Sequence, residues 1–208
     1  MTLKSIRFLS ALHFLLLLVT ILLPAGQAQA LGNDFPGTTL PSLDAFVEEV
    51  RNGQADELRG IYIPEILAAP IVQQPAQHDE FVSPLQNIVT QFGLASRVGS
   101  VGLLAHNYLA GETFFLLTQN QEFYLVYGDG AVSTFLVKET LRYQALDPTS
   151  TTSTFRDWEN GGLLTARELF SMVYERPGQV ILQTCISADT SPSWGRLFVI
   201  AEPYSDQE

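Results

Sequence analysis

Ile181-Leu182-Gln183-Thr184-Cys185, followed after a polar stretch by Gly195-Arg196-Leu197-Phe198-Val199-Ile200-Ala201, is the passage whose reading decides the fold. Two apolar runs of strand length separated by residues 186–194 read as strands joined by a loop. The chain's one cysteine closes the first run and an arginine opens the second. A core strand needs neither a thiol at its exit nor a guanidinium at the entry of its neighbour, so the pair asks for a chemical explanation. A small buried core thiol is the competing reading.

Working outward, the rest of the chain fits short strands with a few short helices. Residues 58–63 alternate and are β-branched up to Pro64, and Ile71-Val72 forms a second run between Pro70 and Pro75. Residues 100–105 make a small apolar strand that ends at His106-Asn107. Residues 122–127 and 131–143 are strong strands joined by Gly128-Asp129-Gly130, a hairpin turn, and residues 112–117 fit a short strand or a helical turn. Helical spacing follows the N-cap Ser42 through Val50, and a capping box at Thr165-Ala166-Arg167-Glu168 starts another helix. A third helix is expected after Ser83-Pro84, where Leu85, Ile88, Val89 and Phe92 recur at helical spacing. Residues 147–162 form the longest irregular stretch. Many short strands, few helices and no repeat period predict an all-β-dominated fold: a closed or nearly closed barrel with peripheral helices.

The N-terminus has a grammar of its own. Lys4 and Arg7 precede an apolar run over residues 8–23, and Ala28-Gln29-Ala30 is a small-residue cleavage site, so residues 1–30 read as an export signal. An uncleaved membrane anchor is the alternative, since the run approaches the short end of a spanning helix. Residues 31–57 are then a linker and a short N-terminal helix, and residues 58–208 the barrel domain. The expected location is extracellular or in the cell envelope, with membrane contact only if the N-terminal segment is retained.

Against 11 basic side chains the chain carries 22 acidic ones. Losing residues 1–30 removes Lys4 and Arg7 and no acidic residue, which leaves a net charge of about −13. Nucleic acid and anionic membranes are poor partners for such a surface. The acidic residues are dispersed, as in Glu48-Glu49 and Asp79-Glu80, and read as a solvated face, not a calcium site. No metal motif, phosphate-binding glycine loop or dinucleotide fingerprint is present, so no cofactor is expected. A lone cysteine cannot form an internal disulfide, and a free thiol in an oxidising compartment is exposed to damage.

Of three histidines, His13 lies in the export segment and His78 in a polar loop, whereas His106 ends an apolar strand, where a barrel presents side chains at its rim. A cysteine nucleophile needs a thiolate, a proton carrier and donors for a developing oxyanion. Cys185, His106 and Arg196 supply one of each: histidine titrates near neutrality, and arginine stays protonated. Cys185 and Arg196 are near enough in sequence for a hairpin to bring them face to face. His106 precedes Cys185 by 79 positions, and only the fold can bring it close.

At these residues the chain resembles the sortases, exported cysteine transpeptidases of bacterial surfaces. Leu182-x-Thr184-Cys185 and Arg196-Leu197-x-Val199 resemble the family's two end strands, and Gly102-Leu103-Leu104-Ala105-His106 the strand carrying its histidine. Ile61-Tyr62-Ile63-Pro64-Glu65-Ile66 and Ala69-Pro70-Ile71-Val72 resemble its opening strands, so the likeness runs over residues 58–203. Ile181 departs from the family's common Thr, and Asn107 follows the histidine where other members carry Arg or another residue.

The resemblance implies an eight-stranded sortase-like barrel with Cys185, His106 and Arg196 in its groove. It further implies cleavage of an LPxTG-type sorting motif through a thioacyl enzyme, with transfer to an amine of the cell wall or of another surface protein. Thr184 and Asn107 would support the site, Phe155, Trp158 and Leu163 would wall it or serve as ordinary packing, and Trp194 would shield the thiol or guide the second substrate, unless it is simply an exposed loop aromatic. Hydrolysis of the same motif, or a non-catalytic exported binding barrel, are the alternatives. A second exported cysteine transpeptidase class, marked by S-H-G-C-x-R, is excluded because Gln183-Thr184 precede Cys185 and Ile186-Ser187-Ala188 follow it.

Overall fold

The computed structural model describes residues 39–188 and 191–205, so the expected export segment and the first part of the linker lie outside the described residues. Ten strands form one sheet: β1 (Leu58–Ile63), β2 (Leu67–Gln73), β3 (Val89–Phe92), β4 (Val101–Leu104), β5 (Glu122–Tyr127), β6 (Val132–Ala145), β7 (Thr154–Asp157), β8 (Leu163–Thr165), β9 (Val180–Ala188) and β10 (Ser191–Pro203). Eight of them run in the order β6-β5-β1-β2-β3-β4-β9-β10, and β10 pairs back onto β6 to close the ring. The eight-stranded barrel expected from the sequence is therefore present. β7 and β8 continue the sheet from the far end of β6 as a flap outside the ring. The β2–β3 and β4–β9 contacts are parallel and the remainder antiparallel.

Alternation along the strands fills the barrel. Ile61, Ile63, Leu103, Phe123, Leu125, Val137, Leu182, Leu197 and Val199 meet inside it, all inaccessible to solvent. On β9 and β10 the other face is also covered, because helix α3 (Ala166–Tyr174) lays Leu169, Val173 and Tyr174 over Ile181, Phe198 and Ile200. A strand buried on both faces reads as a continuous apolar run and loses the period of two, which is the pattern of residues 180–182 and 197–201. Helix α1 (Leu43–Val50) starts at the N-cap Ser42 and buries Phe46 and Val50 against β1. Gly60 makes room there: a Cβ on it would lie 2.7 Å from the Phe46 ring.

Several local expectations are corrected. Residues 83–92 do not form a helix; Val89–Phe92 is β3, and the helix is the five-residue α2 (Gly93–Arg97) that follows it. Of the residues spaced for an apolar helix face, Leu85 is 63% exposed, and Val89 is buried as the first residue of β3. Asn87 takes a positive φ of 57°, and Ser83 N–H donates to Thr90 Oγ1 at 2.9 Å, which steers the chain into parallel pairing with β2. The irregular stretch over 147–162 contains β7; for residues 112–117 the helical alternative holds, as part of a 3-10 helix, Ala110–Leu116. The loop expected over 186–194 is mostly strand: β9 runs to Ala188 and β10 begins at Ser191, with a register shift between Ser191 and Gly195. Among the described residues no helix is long and apolar enough to cross a membrane.

Phe46→Ala should lower stability by about 3 kcal/mol, the cost of emptying a buried aromatic site. Urea unfolding should show a lower midpoint with an unchanged slope. The capping box of α3 predicts a pH effect. Thr165 N–H and Oγ1–H each donate to Glu168 Oε2 at 2.8 Å, and the backbone bond first, the hydroxyl second, hold this carboxyl below its ordinary range. A carboxyl depressed by folding contributes stability above its unfolded pKa, and that contribution is lost as pH falls through the folded value. Titration of Glu168 by NMR should give a midpoint below that of an unstructured glutamate, and Thr165→Ala, which removes the hydroxyl and keeps the backbone N–H, should raise it only part of the way.

Candidate active site

Strand β9 carries the thiol, and its two neighbours decide what surrounds it. In the antiparallel β9–β10 pair, Cys185 stands directly opposite Arg196. Side chains opposed in this way share one face of the sheet, with Cβ atoms about 4.5–5.5 Å apart. On the other flank, β4 and β9 pair in parallel: Val101 with Val180, Gly102 with Ile181, Leu103 with Leu182 and Leu104 with Gln183. Every one of these pairs is 79 positions apart, the separation of His106 from Cys185. The register persists past the strand end, since Ala105 N–H donates to Gln183 O at 3.2 Å and Thr184 Oγ1–H to Ala105 O at 2.8 Å. Carried one residue further, the same register would set the His106 backbone level with Cys185. The thiol, half-buried, sits on the middle strand of three, with Arg196 opposite it on β10 and the end of β4 on its other flank.

The turn after His106 is tightly tied. Leu109 and Gly111 N–H both donate to His106 O, at 3.0 and 3.1 Å. Gly111 is pressed so close that a Cβ would fall 2.4 Å from Thr184 Oγ1 and 2.7 Å from His106 O. Asn107 Nδ2 donates to Ser187 Oγ at 2.6 Å and to Pro192 O at 3.1 Å, fastening the histidine turn to both strands of the β9–β10 hairpin. Tyr108 stacks on the imidazole with ring centroids 5.2 Å apart and planes 18° from parallel. Gly111 and Tyr108 were not singled out by the sequence reading. Only a knowledge of the β4–β9 register shows that the chain doubles back on Thr184 there.

Arg196 is oriented by its own strand. Its Nη1 donates to Ser193 O and Gly195 O, both at 2.9 Å, and its Cζ lies 6.0 Å from the centre of the Phe155 ring. The irregularity between Ser191 and Gly195 supplies those carbonyls, and Gly195 is needed because a Cβ there would meet Tyr143 O at 2.5 Å. Nη1 is thus engaged, while Nε and Nη2 make no bond with any described residue.

Cys185 and Arg196 stand at a groove of about 360 Å³ between the outer face of β9 and β10 and the flap and helix that cover it. Phe155 of β7 and Leu169, Phe170 and Tyr174 of α3 form its apolar wall, Gln183 and Phe198 its floor, and Asp79 and Glu80 its rim. Of the three proposed wall residues, Phe155 lines this groove, and Trp158 and Leu163 do not. Trp158 and Trp194 instead pack edge to face on each other, centroids 5.2 Å apart, and Leu163 is 58% exposed on β8. The turn after β7 explains this: Asp157 Oδ1 accepts from Glu159 N–H and Asn160 N–H, reversing the chain so that Trp158 points away from the groove wall. Among the described residues no group of three or more His, Cys, Asp or Glu side chains could hold a metal ion.

No family model matches the chain, and no curated protein sequence matches it. Among solved structures it is similar to sortase C-1 from Actinomyces oris, at 17% identity and a TM-score of 0.48, covering 80% of this chain and 82% of that one. It is also similar to sortase C from Clostridium perfringens SM101 (17% identity, TM-score 0.44, 78% and 83% covered). The lid mutant of sortase A from Corynebacterium diphtheriae matches at 15% identity, with a TM-score of 0.45 and 71% and 70% covered. These matches are all sortases, the family the sequence resembles, and they include more than one subclass.

Thr184→Val should keep the barrel folded while removing one of the bonds that hold the histidine turn to β9. The expected loss is about 1 kcal/mol in urea unfolding, together with a changed His106 ring signal in NMR spectra.

Proposed function

We propose that the chain is a sortase-type cysteine transpeptidase of the cell exterior, acting on an LPxTG-type sorting motif. The observation that carries this reading is the double register of β9, which sets Cys185 opposite Arg196 and one step along from Thr184, the residue bonded to the histidine turn. The Cys185 thiolate attacks the main-chain carbonyl carbon of the motif's threonine, and the electron pair moves onto oxygen. Arg196, with Nε and Nη2 to give, stabilises that oxyanion. The C–N bond then breaks, His106 gives a proton to the departing amine, and a thioester remains on Cys185. An incoming amine attacks the thioester and surrenders a proton to His106 as the C–S bond breaks. The apolar wall of Phe155, Leu169 and Phe170 suits the leucine and proline of such a motif.

Intact-protein mass spectrometry after mixing with an LPxTG-type peptide should show an acyl adduct on the protein, and Cys185→Ala should form none. Arg196→Ala should slow adduct formation by about 100-fold or more, in the range for a lost oxyanion donor. Adding a glycine- or lysine-bearing amine should shift the released product from the free acid to the amide. An unmodified protein with a freely alkylated Cys185 would contradict the reading.

A further inference from the structure

Gln183 stands two residues before Cys185 on the same outward face of β9 and forms part of the groove floor. Its Oε1 accepts the hydroxyl proton of Tyr174, the last residue of α3. The Tyr174 ring is 3% exposed and packs against Phe92, Phe170 and Phe198. Burial pushes its phenol above the ordinary range, so the hydroxyl stays protonated and acts as a donor. With the oxygen committed to Tyr174, the orientation of the amide is set. Nε2 makes no bond with any described residue, and Gln183 lines the groove, which leaves its N–H groups to a ligand there.

Side chains two apart on a strand repeat every 6.6–6.8 Å or so, and an extended peptide has the same repeat. A substrate whose scissile carbonyl lies at Cys185 and whose acyl segment runs along β9 toward α3 therefore sets the residue two before that carbonyl opposite Gln183. We propose that Gln183 is a substrate-binding residue that donates from Nε2 to the main-chain carbonyl of that residue, and that Tyr174 is the positioning residue holding the amide in this orientation. The assignment rests on the reading of Cys185 as the nucleophile. With its oxygen turned to Tyr174, the amide presents N–H donors to the groove. It complements a residue with a carbonyl and no N–H, which is proline, and proline is the residue two before the threonine in an LPxTG motif.

The test compares two LPxTG-type peptides, one unaltered and one with the proline carbonyl replaced by a thioamide, a weaker acceptor. Adduct formation at Cys185 is followed for the wild type, Gln183→Leu, Gln183→Glu and Tyr174→Phe. Gln183→Leu and Gln183→Glu should each raise KM about tenfold with kcat within about twofold, as expected for one lost hydrogen bond to bound substrate. Tyr174→Phe should raise KM about threefold, since the amide is kept but released to rotate. The thioamide should weaken the wild type about tenfold and leave Gln183→Leu unmoved. Equal sensitivity to the thioamide in both proteins, or an unchanged KM in Gln183→Leu and Gln183→Glu, would overturn the role of Gln183 while leaving the nucleophile intact. A wild type that forms no adduct would overturn the nucleophile reading itself, and this inference with it.

Discussion

The structure depends on the pairing of β9 with a strand on each side, parallel to β4 and antiparallel to β10. Registers of this kind are strongly specified when a strand is buried, because a slip of one residue turns every side chain to the wrong face. β9 is buried on both faces along Val180–Leu182, so a slip would drive Gln183 into the barrel and Leu182 under α3. The same packing that stabilises the barrel thus decides which residues flank the thiol. Thr184 points inward and ties the end of β4, while Cys185 and Gln183 point outward into the groove.

From that arrangement the chemistry of the groove follows in two zones. One holds sulfur and guanidinium, where charge can develop and be stabilised, with Phe155 beside the guanidinium; the other is the apolar lining of Leu169, Phe170 and Tyr174. Arg196 is held by two carbonyls of its own strand and faces Phe155, so its position does not depend on a bound substrate. Such preorganisation lets a fixed dipole or charge act without reorienting during reaction. The glycines at 111 and 195 serve the same end, each allowing a backbone approach that a Cβ would block.

Much of the fold could be read from sequence where a local signal had one meaning. Strands β1 and β5 fall on the expected residues because alternation is bounded by Pro64 and by Gly128-Asp129-Gly130, and the capping box at Thr165 marks the start of α3. Reading failed where two periods fit the same residues: Ile88, Val89 and Phe92 suit a helix by spacing, but pairing with β2 prevails. It failed again at residues 186–194, since polar residues there extend a hairpin through backbone bonds, which hydropathy does not report. The candidate site divided in the same way. Cys185 and Arg196 lie close enough in sequence for a hairpin to join them, whereas His106 follows β4, whose parallel pairing with β9 spans a crossover through β5, β6, the flap and α3. Trp158 was placed wrongly because the turn at Asp157 reverses the chain within a few residues.

The central claim is that strand register carries the histidine position to the thiol, and a cross-link tests it without reference to any substrate. In His106→Cys protein under mild oxidation, a bridge to Cys185 requires Cα atoms within about 7 Å. The account predicts an intramolecular disulfide in the folded protein, seen as a mass loss of about two hydrogens and protection of both thiols from alkylation, and abolished by adding Cys185→Ala. Two thiols that stay free and alkylate independently in the folded barrel would contradict it.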